Sequence, residues 1–452
     1  MIEITKDYID DLKKIIRTKD EKQAITILDD LHPADIAELY KELTLKEALY
    51  LYLLMDDGDK AADVLMELEE DDRRKLLSEL PGKLIAEHFV NEMDSDDAVE
   101  LMRDMNEERQ EEILSHIEDV EQAGDIIDLL KYDEDTAGGL MGTEMIVVNE
   151  NWSMPQCIEE MRKQAEEEDM DEIYNVYVVD DDERLRGVLP LQKLITSPSI
   201  SKIKHVMQKD PVTVQEKAEI EEVVELITKY DLVSLPVIDS IGRLLGHITV
   251  DDVMDEIKEL HERDYQLASG ITQDVETSDN VLMQTAARLP WLLFGMIGGL
   301  SNSKILGGFE SGFAENPKMA LFIPLIGGTG GNVGIQSSAI VVQGLANNTL
   351  KHYQIFKQVL KEITVALINA AIISLIVFTF NFFTLGDHRI TLSVSVSLFA
   401  VVMFAGTFGT LVPMILDKFN VNPAIATGPF ITITNDIIGM LIYMATTTIL
   451  MR

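Results

Sequence analysis

The sequence predicts a multidomain chain. It reads as an all-α helical superhelix, then an α/β tandem of two β-α-β-β-α repeats, then a five-helix α transmembrane domain. Three observations predict this. Apolar residues recur every 12 or 13 positions through residues 1–130. Two stretches between 138 and 262 repeat each other at an offset of 59. Beyond Leu289 the composition turns apolar, and the charge balance changes with it.

The 452-residue chain carries a formal net charge of −41, unevenly spread. Residues 288–452 hold 9 Lys/Arg and 6 Asp/Glu, which leaves 29 basic and 73 acidic residues in 1–287. The first part thus reads as a strongly acidic soluble region and the second as a membrane region. An acidic surface repels phosphates, which argues against nucleic acid as a partner and suits cations. Solubility alone explains the total charge equally well. Cys157 is the single cysteine, so an intrachain disulfide and a cysteine-based zinc cage are both excluded. The eight histidines show no His-Glu-x-x-His spacing. Met1–Asp7 is charged and lacks an apolar signal core, so the soluble part is expected in the cytoplasm.

In residues 1–137, Leu31, Leu43, Met55, Leu68, Leu80, Met93, Met105 and Ile117 mark the period. Each is followed by a turn or cap signal, such as His32-Pro33, Thr44 or Pro81-Gly82, that opens a short amphipathic segment. One short helix plus a tight turn fits that period, and successive helices would stack into a superhelix. An inert spacer and a movable acidic module are equally compatible with the repeat.

Residues 138–202 and 203–262 form the duplication. Met141–Val148 resembles Met207–Val214. Tyr177-Val178-Val179-Asp180 with Leu185–Leu189 matches Pro236-Val237-Ile238-Asp239 with Leu244–Ile248. Apolar, β-branched runs joined through Asp-rich turns are hairpin strands. The pair resembles a tandem of cystathionine-β-synthase (CBS) domains. Such tandems often bind adenine nucleotides through a Thr/Ser-x-x-Asp on the ribose. Only the second repeat has it, as Thr249 and Asp252; the first has Pro190 and Lys193 there. ATP is therefore a candidate ligand, while Thr249 and Asp252 also read as a plain helix cap.

The next segment, 250–287, connects to the membrane part and overlaps the end of the second repeat. Its helix, from about 250 to 266, carries Asp251, Asp252, Asp255, Glu256, Glu259, Glu262 and Asp264. Asp252, Asp255, Glu256 and Glu259 share one face. Like charges this close repel unless a divalent ion bridges them; a solvated helix face is the bland alternative.

Residues 288–452 are read as five spans, about 289–306, 319–344, 363–384, 391–416 and 423–449. Lys351, Lys357 and Lys361 between the second and third favour the cytoplasmic side, and Arg452 is expected outside. Asp436 is the one ionisable residue in mid-span; Lys304, Lys361 and Glu362 are placed at span ends, within reach of headgroups. A carboxylate in hydrocarbon costs at least about 2.5–3.5 kcal/mol, so Asp436 must face protein, water or an ion. Thr432, Asp436, Gly439 and Tyr443 share a helical face, read as the wall of a cation path. Five glycines in eight positions, 327–334, make the second span a poor helix, and a break is expected there. Gly328, Asn332 and Gln336 fall on one face, offering amide oxygens near the depth of Asp436.

The order of parts resembles one family, the MgtE-type magnesium channels and transporters. The motifs are Asp135-Thr136-Ala137-Gly138-Gly139-Leu140-Met141, Gly328-Thr329-Gly330-Gly331-Asn332 with Gln336, and Asn422-Pro423-Ala424 leading to Asn435-Asp436. The resemblance implies a homodimer in the cell membrane, with Asp436 holding hydrated Mg2+ at the two-fold axis. It places Gly328, Asn332 and Gln336 along the pore and Asn422 at its cytoplasmic mouth. It also implies regulatory Mg2+ binding by acidic residues of the N-domain, CBS pair and plug helix, of which Asp94, Asp97, Asp251, Asp252, Asp255, Glu256, Glu259 and Asp264 are the candidates. Two departures from the family's pattern stand at Ile335 and Gly428, where relatives carry a polar residue and an Asn. The expected function is Mg2+ import down its gradient, closed by cytosolic Mg2+, with no enzymatic activity. A transporter of Mn2+ or Co2+ and a nucleotide-sensing membrane regulator are the alternatives.

Overall fold

Several of the short helices at the start of this chain begin at a side chain that caps them. Thr5 accepts from the Tyr8 amide, Asp20 from Gln23 and Asn106 from Arg109, while Thr44 and Glu47 form a capping box. The computed structural model describes residues 5–55, 57–167, 170, 173–198, 200–273, 275, 279–346, 350 and 355–451. Lys351 and Arg452, used above for orientation, lie outside them. The chain divides into two compact units, 1–257 and 258–452.

The first unit opens with helices α1–α10: Lys6–Thr18, Glu21–Asp30, Pro33–Lys41, Leu45–Tyr52, Gly58–Met66, Glu70–Ser78, Gly82–His88, Ser95–Arg103, Glu107–Leu114 and Val120–Leu129. The recurring apolar residues sit where these helices end. Leu31, Leu68, Leu80 and Met93 are buried there and close each turn over a common core. Burying a side chain of this size contributes about 1.5–3 kcal/mol, enough to hold helices too short to persist alone.

After α11 (Ala137–Leu140) comes the duplicated α/β part. Strands β1 (Ile146–Asn149), β2 (Asn175–Val179), β3 (Leu185–Pro190) and β4 (Gln208–Lys209) form one sheet in that order. Strands β5 (Val214–Gln215), β6 (Ser234–Ile238) and β7 (Leu244–Thr249) form the other. In each, the first pair is parallel and the second a hairpin, and β2/β6 and β3/β7 start 59 residues apart. Helices α12 (Met154–Glu167), α13 (Leu191–Thr196), α14 (Ile203–Val206) and α15 (Ile220–Tyr230) complete the repeats. The hairpin turns join through Leu185 N donating to the Gly242 carbonyl, 3.0 Å, and Leu244 N to Glu183, 3.2 Å. The Asp135–Met141 run is tight for a reason. Ala137 and Gly138 donate to Ala218 and Glu216 of the second repeat, both at 2.8 Å, and a Cβ on Gly139 would overlap the Asp133 carbonyl.

Helix α16 (Val250–Ser269) carries the chain out of the first unit and into the second. The second unit then has α17 (Val281–Gly308), α18 (Glu310–Glu315), α19 (Ile323–Ala346), α20 (Ile355–Thr384), α21 (His388–Lys418) and α22 (Gly428–Met451). Four stretches, 281–308, 356–384, 388–418 and 423–451, are long and apolar enough to cross a membrane. Helix α19 has the length, 24 residues or about 36 Å, but its glycines and amides make it less apolar.

Three expectations need correction. The glycine run does not break the second span: α19 is one continuous helix over Ile323–Ala346. Packing overrides propensity, because Cβ atoms would overlap neighbours at Gly334 and sit 2.9 Å from Val401 at Gly330. Glu362 does not reach the headgroups: it is 6% exposed and accepts a hydrogen bond from Ser337. The Asp436 face is also shorter than expected. Gly439 and Tyr443 are buried in the helix core, with Tyr443 donating to the Met319 carbonyl at 2.8 Å.

Candidate functional site

Asp436 lies on α22, eight residues or about 12 Å from the helix start, and is half-buried. The structure sets it against the glycine-lined side of α19. A Cβ at Gly327 would stand 3.2 Å from Asp436 Oδ1, and one at Gly331 would stand 4.0 Å away. Small residues therefore make room beside this carboxylate. Thr432, one turn earlier, donates to its own Gly428 carbonyl at 2.9 Å. The neighbouring Asn435 is 1% exposed and wedged at Gly334, its Nδ2 donating to the Gly330 carbonyl at 3.4 Å. Its Oδ1 is buried without a partner among the described residues.

Gly328, Asn332 and Gln336 do share a face, and that face is exposed. At 100° per residue Asn332 lies about 100–140° round the helix from the Gly327/Gly331 side and Gln336 about 140–180°, so neither amide is brought into the space beside Asp436. Asn422 is not brought to Asp436. It caps the short Pro423–Ala426 turn, with Oδ1 accepting from Ala424 N at 2.8 Å. Its Nδ2 donates to Asp264 Oδ1 of α16 at 2.8 Å. Thr427 donates to the Ala268 carbonyl at 3.3 Å, and a Cβ on Gly428, whose φ is +28°, would overlap that carbonyl. The end of α16 is thus seated on the start of α22, and glycine at 428 is what lets it in.

The acidic candidates of the first unit lie on two elements. Asp94 immediately precedes α8, Asp97 lies in its first turn, and Asp252 lies at the start of α16. Thr249 N and Oγ1 both donate to Asp252 Oδ2, so that pair closes as a helix cap. Burial, then Glu100, Asp252 and Asp94, push Asp97 up to about 7. Asp96, half-buried beside it, is held well above the carboxylate range by burial and by Asp252, Asp97 and Glu144. Burial raises Asp252 too, with Asp251 and Asp255 adding to it against the Thr249 hydrogen bonds. Glu144 is fixed by Ser95, whose N and Oγ donate to it at 3.1 and 2.8 Å. Carboxylates of α8, Glu144 and Asp252 therefore face one another. Asp251 and Asp255 are exposed on α16, and Glu256 is half-buried. Glu259 and Asp264 follow in the second unit, so α16 divides its charges between the two. Among the described residues, no three acidic or histidine side chains form a ready metal cage. Asp96 and Glu144 were missed from the sequence. Asp96 reads there as one more first-turn acid, and Glu144 as part of a strand.

The comparisons with known proteins cover both units. A divalent cation transporter family model, MgtE, matches residues 323–446. The MgtE intracellular N domain matches 31–135, and CBS domains match 137–199 and 203–259. The chain is 34% identical over 335 residues to a magnesium transporter MgtE of Enterococcus faecalis, covering 74% of this chain and 73% of that one. It is 34% identical over 332 residues to the Thermus thermophilus magnesium transporter MgtE, covering 72% of each. A solved cytosolic domain of the Mg2+ channel MgtE in complex with ATP covers 55% of this chain and 99% of its own, at 30% identity and a TM-score of 0.51.

Proposed function

The chain belongs to the MgtE family of divalent-cation transporters, and from that premise we propose that it is a dimeric, five-span magnesium channel closed by cytosolic Mg2+. The observation that carries the reading is Asp436, a half-buried carboxylate of an apolar helix facing a glycine-lined neighbour. Magnesium sheds its waters reluctantly and is usually held by one or two carboxylates through them. Two Asp436 side chains across a two-fold axis would supply that, with Gly328, Asn332 and Gln336 of α19 as the fifth span's partners and Asn422 at the cytoplasmic mouth. Entry needs no chemical step, because a divalent ion gains about 4.6 kcal/mol per 100 mV of membrane potential.

Regulation follows from the acidic sites. Without ions, Asp94, Asp97, Asp252 and their neighbours repel, and the acidic N-domain separates from the CBS pair. With ions, the carboxylates are drawn together and α16 stays seated on α22. Each ion must bind the closed form better than the open one. Asp251, Asp255, Glu256, Glu259 and Asp264 would contribute along α16. ATP is proposed as a ligand of the CBS pair from the relative's complex, with Thr249 and Asp252 meeting the ribose. Homodimerisation, lipid contact by α17 and α20, a cell-membrane location and a cytoplasmic N-terminus complete the reading. Oxygen ligands choose weakly among divalent metals. Flux into proteoliposomes, with Mn2+ and Co2+ as competitors, therefore tests it. Mg2+ uptake is expected to persist in their presence, and uptake of Mn2+ or Co2+ alone would overturn it.

A further inference from the structure

Most hydroxyls on the membrane helices bond back to the carbonyl four residues earlier, as Ser395, Ser397, Thr410 and Thr446 do. Two adjacent serines of α19 do not. Ser337 Oγ donates across to Glu362 Oε1 of α20 at 2.9 Å, and Ser338 Oγ donates to the Ala426 carbonyl, before α22, at 2.8 Å. Both bonds are buried, and among the described residues Ser337 is the one hydrogen-bond partner of Glu362. No cation pairs with Glu362 among them. A buried acceptor that holds a hydrogen bond between two membrane helices ties them to each other at that point, which is a positioning role.

The role follows from helix geometry. At 100° per residue, the Ser337/Ser338 direction lies roughly opposite the Gly328–Asn332–Gln336 face. These two bonds therefore hold the back of the helix whose front carries the amides. Side-chain tips lie about 5–6 Å from a helix axis, so a rotation of roughly 20° would sweep the Asn332 amide by about 2 Å. That exceeds what a hydrogen bond tolerates. We propose that Glu362 is a positioning residue of the ion path, which sets the rotation of α19 through Ser337 and so the aim of Asn332 and Gln336, without touching the ion. The inference rests on the transport reading above.

The test uses the full chain in proteoliposomes, with Mg2+ flux and the Mg2+/Ca2+ preference both measured. Glu362→Gln keeps an acceptor for Ser337 and loses only the charge. It is expected to keep half-saturation and preference within twofold of the wild type. Glu362→Ala and Ser337→Ala each remove the bond. Both are expected to raise the half-saturating Mg2+ concentration about five- to tenfold and to reduce the preference similarly, with maximal flux less affected. Ser337→Ala deletes one hydroxyl, so it carries the test if Glu362→Ala does not fold. Glu362→Gln as damaging as Glu362→Ala would make the charge itself the requirement and overturn the proposal. Unchanged half-saturation and preference in Ser337→Ala would overturn it too. A wild type that moves no Mg2+ would instead remove the transport reading beneath it.

Discussion

Neutralising Asp96 and Asp97 together should uncouple the first unit from magnesium. Asp97 is raised from its ordinary 3.8 to about 7, chiefly by burial and then by Glu100 and Asp252. Three units amount to about 4 kcal/mol at most, and solvent screening of a half-buried group brings this to about 1–2 kcal/mol. Asp96→Asn with Asp97→Asn should therefore favour the closed contact between α8 and Asp252 about tenfold without any ion. The sign also fixes the pH response. The closed form binds the proton more tightly than the open one, so it is weakest above pH 7 and strengthens as pH falls from 7 toward 3.8. The assay is limited proteolysis of the full chain across a Mg2+ titration, at pH 8 and pH 6. The wild type should need Mg2+ for protection at pH 8 and less of it at pH 6. The double variant should be protected at both without Mg2+. A double variant needing as much Mg2+ as the wild type would refute the reasoning.

Two further outcomes are expected. Gly334→Ala places a Cβ into Asn435 and Ile431, so thermal unfolding in detergent should show about 1–3 kcal/mol of destabilisation, with Mg2+ flux reduced. His247, hydrogen-bonded to Tyr177 at 3.2 Å, is lowered from 6.5 to about 4 by burial. Its contribution to stability is present above pH 6.5 and lost as pH falls toward 4, on the order of 3 kcal/mol. Replacing it with Gln should flatten that acid loss in a pH series of thermal midpoints.

How far the sequence could be read depended on whether the signal was local. The duplication was legible because β2/β6 and β3/β7 keep one offset, so Pro190 and Lys193 could be set against Thr249 and Asp252. The first ten helices were legible because caps such as Thr44 and Asn106 act within one turn. The continuity of α19 was not legible. Its glycines weaken a helix locally, and what restores it is Asn435 and Gly409 arriving from other helices. Glu362 was misplaced for the same reason, since its partner Ser337 lies 25 residues away on another helix. The second role of Asn422 was hidden similarly, as its amide is held by Asp264, 158 residues earlier. The mid-span position of Asp436 needed only a hydropathy pattern; the space beside it, made by Gly327 and Gly331, needed the fold.

The most direct measurement is Mg2+ uptake by Asp436→Asn in proteoliposomes at a fixed membrane potential, beside wild type of equal monodispersity. This substitution keeps the side chain's shape and removes its charge. The account predicts a fall of about 100-fold or more, because an amide cannot replace a carboxylate toward the waters of a divalent ion. Uptake within twofold of wild type would contradict it.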